Sequence, residues 1–306
     1  MSVLVTGGAG FIGSNIVDAL VNKGSKVIII DNLSTGFKHN VNASAKLYPL
    51  DICDDALKDI FKKEKPQVVI HLAAQTSVIK SIENPAFDAK VNILGSLNVL
   101  SNCVKFGVKR IVYASSCAVY GNPVYLPVDE KHPINPLSYY GTSKHTVEHY
   151  LYQYHLLYGL PYIILRYANV YGPRQNPRGE GGVIAIFAGK MLHGEQPIIF
   201  GCGDKSRDYI YVDDVVQANL LAMESHDIGI YNIGTSEGTL DKTIFDFVSH
   251  ECRYDGLPHY ASERQGEIKN IYLNNKLAVK ILKWKTSVNL KDGIAKTVAF
   301  YKEEQA

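Results

Sequence analysis

The sequence predicts an α/β protein, with a doubly wound parallel sheet in its first part and a smaller α/β unit after it. Two observations predict this. Short β-branched runs alternate with segments of helical period, and the runs are apolar at consecutive positions rather than at every second one. A strand apolar on both sides must be covered on both sides, the condition met by parallel sheets with helices on each face. At 306 residues, 46% of them hydrophobic, the chain can fill such a core.

In chain order, residues 3–6, 26–31, 68–72, 110–114 and 162–165 read as buried strands, with a third strand closed by Asp51 and Ile52. Segments 11–22, 85–106 and 138–157 read as the helices between them. After about Gly172 the rhythm changes to loops rich in Gly, Pro and charge, 173–182 and 201–208, separating short helices and isolated strands. Ligands of open α/β sheets collect beyond the carboxyl ends of the strands, so this later part is expected to fold over that edge and shape a substrate site. Segment 212–223 has a helical pattern and is expected to pack back on the first unit. The expected division is residues 1–171, joined by about 210–233, and residues 172–306.

The net charge is +2 and the cations are scattered, which supplies no electropositive face for nucleic acid or an anionic membrane. Five cysteines, odd in number, widely spaced and without a C-x-x-C pair, point away from a disulfide framework or a structural metal. A strand-like run starts at Ser2, leaving no room for a leader, and no apolar stretch approaches the ~18 residues of a membrane span. The expected compartment is the cytoplasm.

Residues 3–13 join a strand, a glycine turn and a helix start, with Gly7, Gly10 and Gly13 in dinucleotide-binding spacing. A turn without Cβ atoms lets backbone approach a pyrophosphate at a helix N-terminus, where free N–H groups and the macrodipole favour anions. The pattern alone could be turn chemistry; the strand before it and the helix after it supply the context. Asp31 closes the second strand, where a carboxylate can accept both adenosine ribose hydroxyls and repel a 2′-phosphate. This points to NAD rather than NADP, while an Asx turn with Asn32 is the plainer reading. Asp51 could bond the adenine amine, and Leu72, Ala73, Ala74 and Gln75 could let the cofactor lie close.

Tyr140 and Lys144 stand at i and i+4 on one helix face. An ammonium near a phenol, with a positive nicotinamide beside it, is expected to lower the phenol pKa from ~10 and favour a phenolate base. Among 20 tyrosines such a pair is weak alone. The strand exit before it, 114–121, carries Ser115 and Ser116 to the same sheet edge.

The glycine turn, Asp31, Ser-Ser-x-x-Val-Tyr-Gly, Tyr-Gly-x-Ser-Lys and Leu-Arg-Tyr-x-Asn-Val-Tyr-Gly together resemble the extended short-chain dehydrogenase/reductase family, most of all its UDP-glucose 4-epimerases. The likeness runs from the first strand to the C-terminal helices and implies a Rossmann-type fold. It further implies that Ser116 bonds the reacting sugar oxygen, Tyr140 is base and acid, and Lys144 binds nicotinamide ribose and tunes Tyr140. Further cofactor contacts implied are Phe11, Ile12, Asn32, Ser34, Thr35, Gly36, Ile52, Asn92, Ser115 and Tyr167. Ser115 is the rival hydroxyl, with capping of the strand exit as its plainer role, and Cys117 is read as packing.

On the substrate side the resemblance places Asn169 on the diphosphate, Val183, Phe187, Ile198 and Phe200 around uracil, and Arg207 and Arg264 on phosphate, with Tyr209 and Glu267 nearby. Guanidinium forks suit a diphosphate. The plainer alternatives are a turn residue, the core of the small unit and surface charges. Dehydratases of the family carry an Asp-Glu pair where this chain has Cys117 and Ala118, so reversible oxidation at C4 is the chemistry implied. Ile271 falls at a gate position whose size selects the sugar, and its intermediate volume leaves UDP-glucose, N-acetylated and uronate substrates open. Glu267 and Tyr139 depart from the commonest family pattern. A non-catalytic NAD sensor and a dehydrogenase with net turnover are rival readings. The family also implies a homodimer paired through segments 88–106 and 138–157.

Overall fold

The computed structural model describes residues 1–178, 182–263 and 268–305. Its centre is a seven-stranded parallel sheet built from β1 (Ser2–Thr6), β2 (Lys26–Ile30), β3 (Lys46–Tyr48), β4 (Val68–His71), β5 (Arg110–Ser116), β6 (Tyr162–Tyr167) and the strand Gly229–Ile233. From one edge the order is Gly229–Ile233, β6, β5, β4, β1, β2, β3. Alternate side chains feed two cores, as consecutive apolar positions require. Val3, Val5, Ile29, Ile70 and Val112 enter one, and Leu4, Ile28, Val69 and Ile111 the other. Each such side chain is worth about 1.5–3 kcal/mol of burial, and truncating Ile28 to Ala would cost about 2–5 kcal/mol.

Four elements differ from expectation. β3 ends at Tyr48, so Asp51 and Ile52 stand in the loop beyond it. Pro49 follows directly on this edge strand, and one further bond, from Leu50 N to Asp31 O at 3.2 Å, joins the segment to the end of β2. β5 and β6 each run two residues further than expected, pairing Ser115 with Arg166 and Ser116 with Tyr167. The expected single helix over 85–106 is Pro85–Ala89, a π turn Lys90–Gly95 and Ser96–Lys105. Asn84 caps it, its Oδ1 accepting from Phe87 N at 3.0 Å, with Pro85 in the first turn. The wider turn re-aims its residues and buries Asn92.

The helix Tyr139–Tyr158 starts at Ser138, whose Oγ accepts from Gly141 N at 3.1 Å, and stops at Gly159, φ +69°. Helix Val212–Glu224 packs on helix Phe11–Asn22 and on β5 and β6. Beyond β6, strand Asn169–Tyr171 pairs with Tyr209–Tyr211, and Ser206–Arg207 is flanked by Thr239–Leu240 and Asn270–Ile271. Ile198–Phe200 pairs with His259–Ala261. Helices Val183–Leu192, Asp241–Cys252 and Leu290–Gln305 close this region. Among the described residues no helix is long and apolar enough to cross a membrane.

Candidate active site

The strand order reverses between β1 and β4, which opens a crevice at their carboxyl ends. There the glycine turn meets the loop after β4. Gly7 has φ +72°, and a Cβ on it would lie 2.8 Å from Ala73 N; one on Gly13 would lie 2.0 Å from Gly7 O. Only backbone fits. Gly10 caps helix Phe11–Asn22 without a side chain, so the first-turn N–H groups, including those of Phe11 and Ile12, face the crevice end of the dipole. Both of these side chains are half-buried against the core.

Asp31 is buried, its Oδ2 accepting from Ala9 N at 2.9 Å and its Oδ1 from Leu33 N at 2.8 Å. Each oxygen keeps a second acceptor site, so the carboxylate can brace the glycine loop and still receive ribose hydroxyls. Asn32 Oδ1 accepts from Ser34 N at 3.0 Å, and its Nδ2 donates to Asp51 Oδ2 at 2.8 Å. Ser34 and Thr35 are exposed, Gly36 lies against Ala9, and Ile52 is buried. These features fit a dinucleotide: a Cβ-free cradle at a helix start, and a carboxylate with acceptor capacity left.

Leu72, Ala73 and Ala74 are half-buried. The Thr6 hydroxyl accepts from Leu72 N at 3.2 Å and Ala73 N at 3.1 Å. Gln75 N donates to Asn92 Oδ1 at 2.8 Å, and Asn92 Nδ2 donates to Gln75 O and to Ser143 Oγ, both at 3.0 Å. Asn92 therefore ties the loop after β4, through the Gln75 backbone, to the helix of Tyr140 and Lys144, through the Ser143 hydroxyl.

Ser116, at the end of β5, hydrogen-bonds Tyr140, while its Oγ accepts from Ala118 N at 3.2 Å. Lys144 Nζ donates to Ala114 O at 2.9 Å and stands 6.0 Å from the centre of the Tyr140 ring. The expected lowering of the phenol is absent from the protein's own groups. Burial raises Tyr140 to about 12, against the pull of Ser116. The ammonium lies over the ring without bonding the oxygen, so further cationic help has to come with what binds. Burial also brings Lys144 down to about 8, opposed by the charges of Asp88 and Glu148.

On the substrate side, Asn169 is half-buried and its N–H donates to Asp208 O at 2.9 Å. Arg207 donates through Nη1 to Ser206 O at 2.9 Å and Lys269 O at 3.0 Å. Val183 and Phe200 are half-buried and Ile198 is exposed. Ile271, 3% exposed, pairs with Arg207 across the small sheet. Arg264 and Glu267 lie outside the described residues. The Cys117 thiol sits in the fields of Asp208 and Arg207, and burial pushes it up to about 11.

The model of the NAD-dependent epimerase/dehydratase family matches residues 3–234. The chain belongs to this family. A Methanocaldococcus jannaschii protein, provisionally named a UDP-glucose 4-epimerase, is 50% identical over 301 residues, covering 98% of each chain. A UDP-glucose 4-epimerase structure from Thermotoga maritima with UDP-glucose is 45% identical, with TM-score 0.98 over 100% of both chains. The Thermus thermophilus UDP-glucose 4-epimerase in complex with NAD is 40% identical, with TM-score 0.94 over 99% of both.

Four side chains of this family member are engaged elsewhere than expected. Ser115 Oγ donates to Glu148 Oε1 at 2.6 Å, on the opposite side of β5 from Ser116. Tyr167 OH is bonded to Asn219, with Nδ2 at 2.8 Å, and Tyr209 OH donates to Asp241 Oδ1 at 3.2 Å. Phe187 stands edge-on to Phe245 with centroids 6.0 Å apart, in the core of the small region. In each case a partner from a distant segment takes the group.

Sequence reasoning also missed a buried polar framework under the epimerase/dehydratase site. Glu148 binds Arg166 through Nε at 2.9 Å and Nη2 at 2.5 Å, and Arg166 Nη1 donates to Tyr120 OH at 2.9 Å. Burial opposes the Glu148 charge, yet hydrogen bonds from Arg166 and His145 hold the carboxyl at about 2. Asp208 Oδ1 accepts from Thr235 N at 2.8 Å and Oδ2 from Leu273 N at 3.1 Å, binding three segments together. The available signal was a carboxylate four residues beyond Lys144, on the same helix face.

Proposed function

We infer that this protein is an NAD-dependent 4-epimerase of a UDP-hexose, interconverting UDP-glucose and UDP-galactose through a 4-keto sugar. The observation that carries it is the placing of Ser116, Tyr140 and Lys144 at the carboxyl edge of β5, with Cys117 and Ala118 where an eliminating enzyme needs carboxylates. The T. maritima and T. thermophilus relatives, solved with UDP-glucose and with NAD, support both ligands.

Bound NAD supplies the hydride acceptor and donor at C4. Gly7, Gly10, Gly13 and Asp31 hold the dinucleotide, with the 32–36 and 72–75 loops along it. Tyr140, as phenolate, takes the C4 hydroxyl proton while Ser116 holds the oxygen. Lys144 stabilises that phenolate and binds the nicotinamide ribose. After the ketose turns over, Tyr140 returns the proton to an oxygen of opposite configuration. Asn169, Arg207 and Arg264 hold the diphosphate, and Ile271 bounds the sugar.

Residues 1–171 with about 210–233 form the cofactor unit, and the rest of 172–306 the UDP-sugar unit. The protein works in the cytoplasm as a homodimer. Leu94, Tyr152 and Leu156, at 60%, 54% and 67% exposure, give the pairing segments 88–106 and 138–157 exposed apolar side chains. Light scattering should then return twice the mass of one chain.

The deciding experiment incubates purified protein separately with UDP-galactose, UDP-N-acetylgalactosamine and UDP-galacturonate and resolves the 4-epimers. UDP-galactose should convert, and Tyr140→Phe should lose turnover while binding NAD. Conversion of none, with NAD added, overturns the reading.

A further inference from the structure

Two buried charges stand beside the cofactor loop without an ion-pair partner among the described residues. Lys144 is 3% exposed and Asp88 is 1% exposed. The ammonium donates to Ala114 O at 2.9 Å and lies 5.0 Å from the centre of the Tyr113 ring. Asp88 Oδ1 accepts from Gln75 Nε2 at 2.9 Å and from Asn92 Nδ2 at 3.1 Å. The same Asn92 nitrogen reaches Ser143, the residue before Lys144, at 3.0 Å. Helix Pro85–Ala89, which carries Asp88, packs on the helix of Tyr140 and Lys144.

A buried charge is costly unless another compensates it. Around Lys144 the titratable and charged groups are Tyr140 and Glu148 on its own helix, Tyr113 on β5, His71 on β4, Arg166 on β6 and Asp88. Glu148 is neutralised by the two bonds from Arg166. Burial, then the Lys144 charge, holds His71 at about 3, so it is neutral. One net negative charge remains, on Asp88.

We propose that Asp88 is a positioning residue for the catalytic pair: its carboxylate is the counter-charge that keeps Lys144 protonated, and its hydrogen bonds fasten the 72–75 loop to the catalytic helix. The role in turnover rests on the epimerase reading; the charge pairing does not. With Lys144 already down at about 8, loss of the carboxylate carries it into the neutral range.

Asp88→Asn tests the charge alone, because the amide oxygen can still accept from Gln75 and Asn92. Lys144 is charged below its pKa, so the alkaline limb of the kcat/KM profile should move down by about one to two pH units. The variant is then about tenfold slower near pH 8. Asp88→Glu should restore the limb. Asp88 also raises Tyr140, as the smallest of its causes, so the acid limb should move far less. A uniform loss at every pH, or an unmoved limb, overturns the proposal.

A second variant needs no turnover and decides the matter should Asp88→Asn fail to fold. In Lys144→Met the Asp88 carboxylate is left buried without a counter-charge, a cost that adding Asp88→Asn in the same chain removes. The double variant should therefore melt higher than Lys144→Met alone. An equal or lower Tm in the double variant refutes the pairing even in a working epimerase. A higher Tm in the double variant of a protein that converts no UDP-sugar keeps the pairing and removes the epimerase reading.

Discussion

Ser116 accepts the Ala118 backbone N–H at 3.2 Å, which leaves its own proton for the Tyr140 oxygen. A hydrogen bond donated to a phenol oxygen favours the phenolate. Ser116→Ala removes it, so the phenol should ionise at higher pH and the acid limb of kcat/KM should move up. Turnover near neutrality should fall about 10²-fold. A pH–rate profile checks this, and a limb that stays in place separates Ser116 from Tyr140.

Asp31 braces the glycine turn through Ala9 N while keeping acceptor sites for a ribose. Asp31→Ser should weaken NAD binding at least about tenfold, roughly 1.4 kcal/mol. It should also narrow the preference over NADP, because the charge facing a 2′-phosphate is gone. Calorimetric titration with each dinucleotide measures both, and unchanged affinities contradict the placement.

The Glu148 carboxyl, held at about 2, links stability to acid. A depressed carboxyl contributes stability that is present above its unfolded value of 4.5 and is lost as pH falls from there through about 2. Glu148→Gln leaves Arg166 buried without its partner and should cost about 3–5 kcal/mol. The variant's Tm should also depend less on pH across that window.

A Cβ at Gly13 would come within 2.0 Å of Gly7 O, backbone against backbone. Gly13→Ala should cost about 1–3 kcal/mol and displace the turn. Titration with NAD should show binding lost well below the Tm of the variant; retained binding would mean that the turn gives way without consequence.

The parallel sheet was legible because apolar runs such as 26–31 admit burial on both faces and little else. The glycine turn was legible because few contexts demand so many missing Cβ atoms. At Asp31 two readings stood open, an Asx turn and a ribose clamp. The Leu33 N–H on Oδ1 shows the turn, and the remaining lone pairs allow the clamp. What the chain did not disclose is where buried polar groups find partners. Tyr167 meets Asn219, 52 residues away, and Ser115 meets Glu148, 33 residues away. Periodicity reports which face is covered, not what covers it. For the same reason Asp88 gave no signal of its own, since its partner Gln75 stands 13 residues earlier in the loop after β4.

The strand Gly229–Ile233 lies beside β6, yet the substrate loops separate the two in sequence. During synthesis, β6 leaves the ribosome as an open sheet edge and stays one until its neighbour follows. An unpaired apolar edge invites pairing with other nascent chains, so the order of translation, and not only the final fold, bears on yield. A circular permutant opened in an exposed loop of the later region, with Gly229–Ile233 made before β6, would cover that edge from the outset.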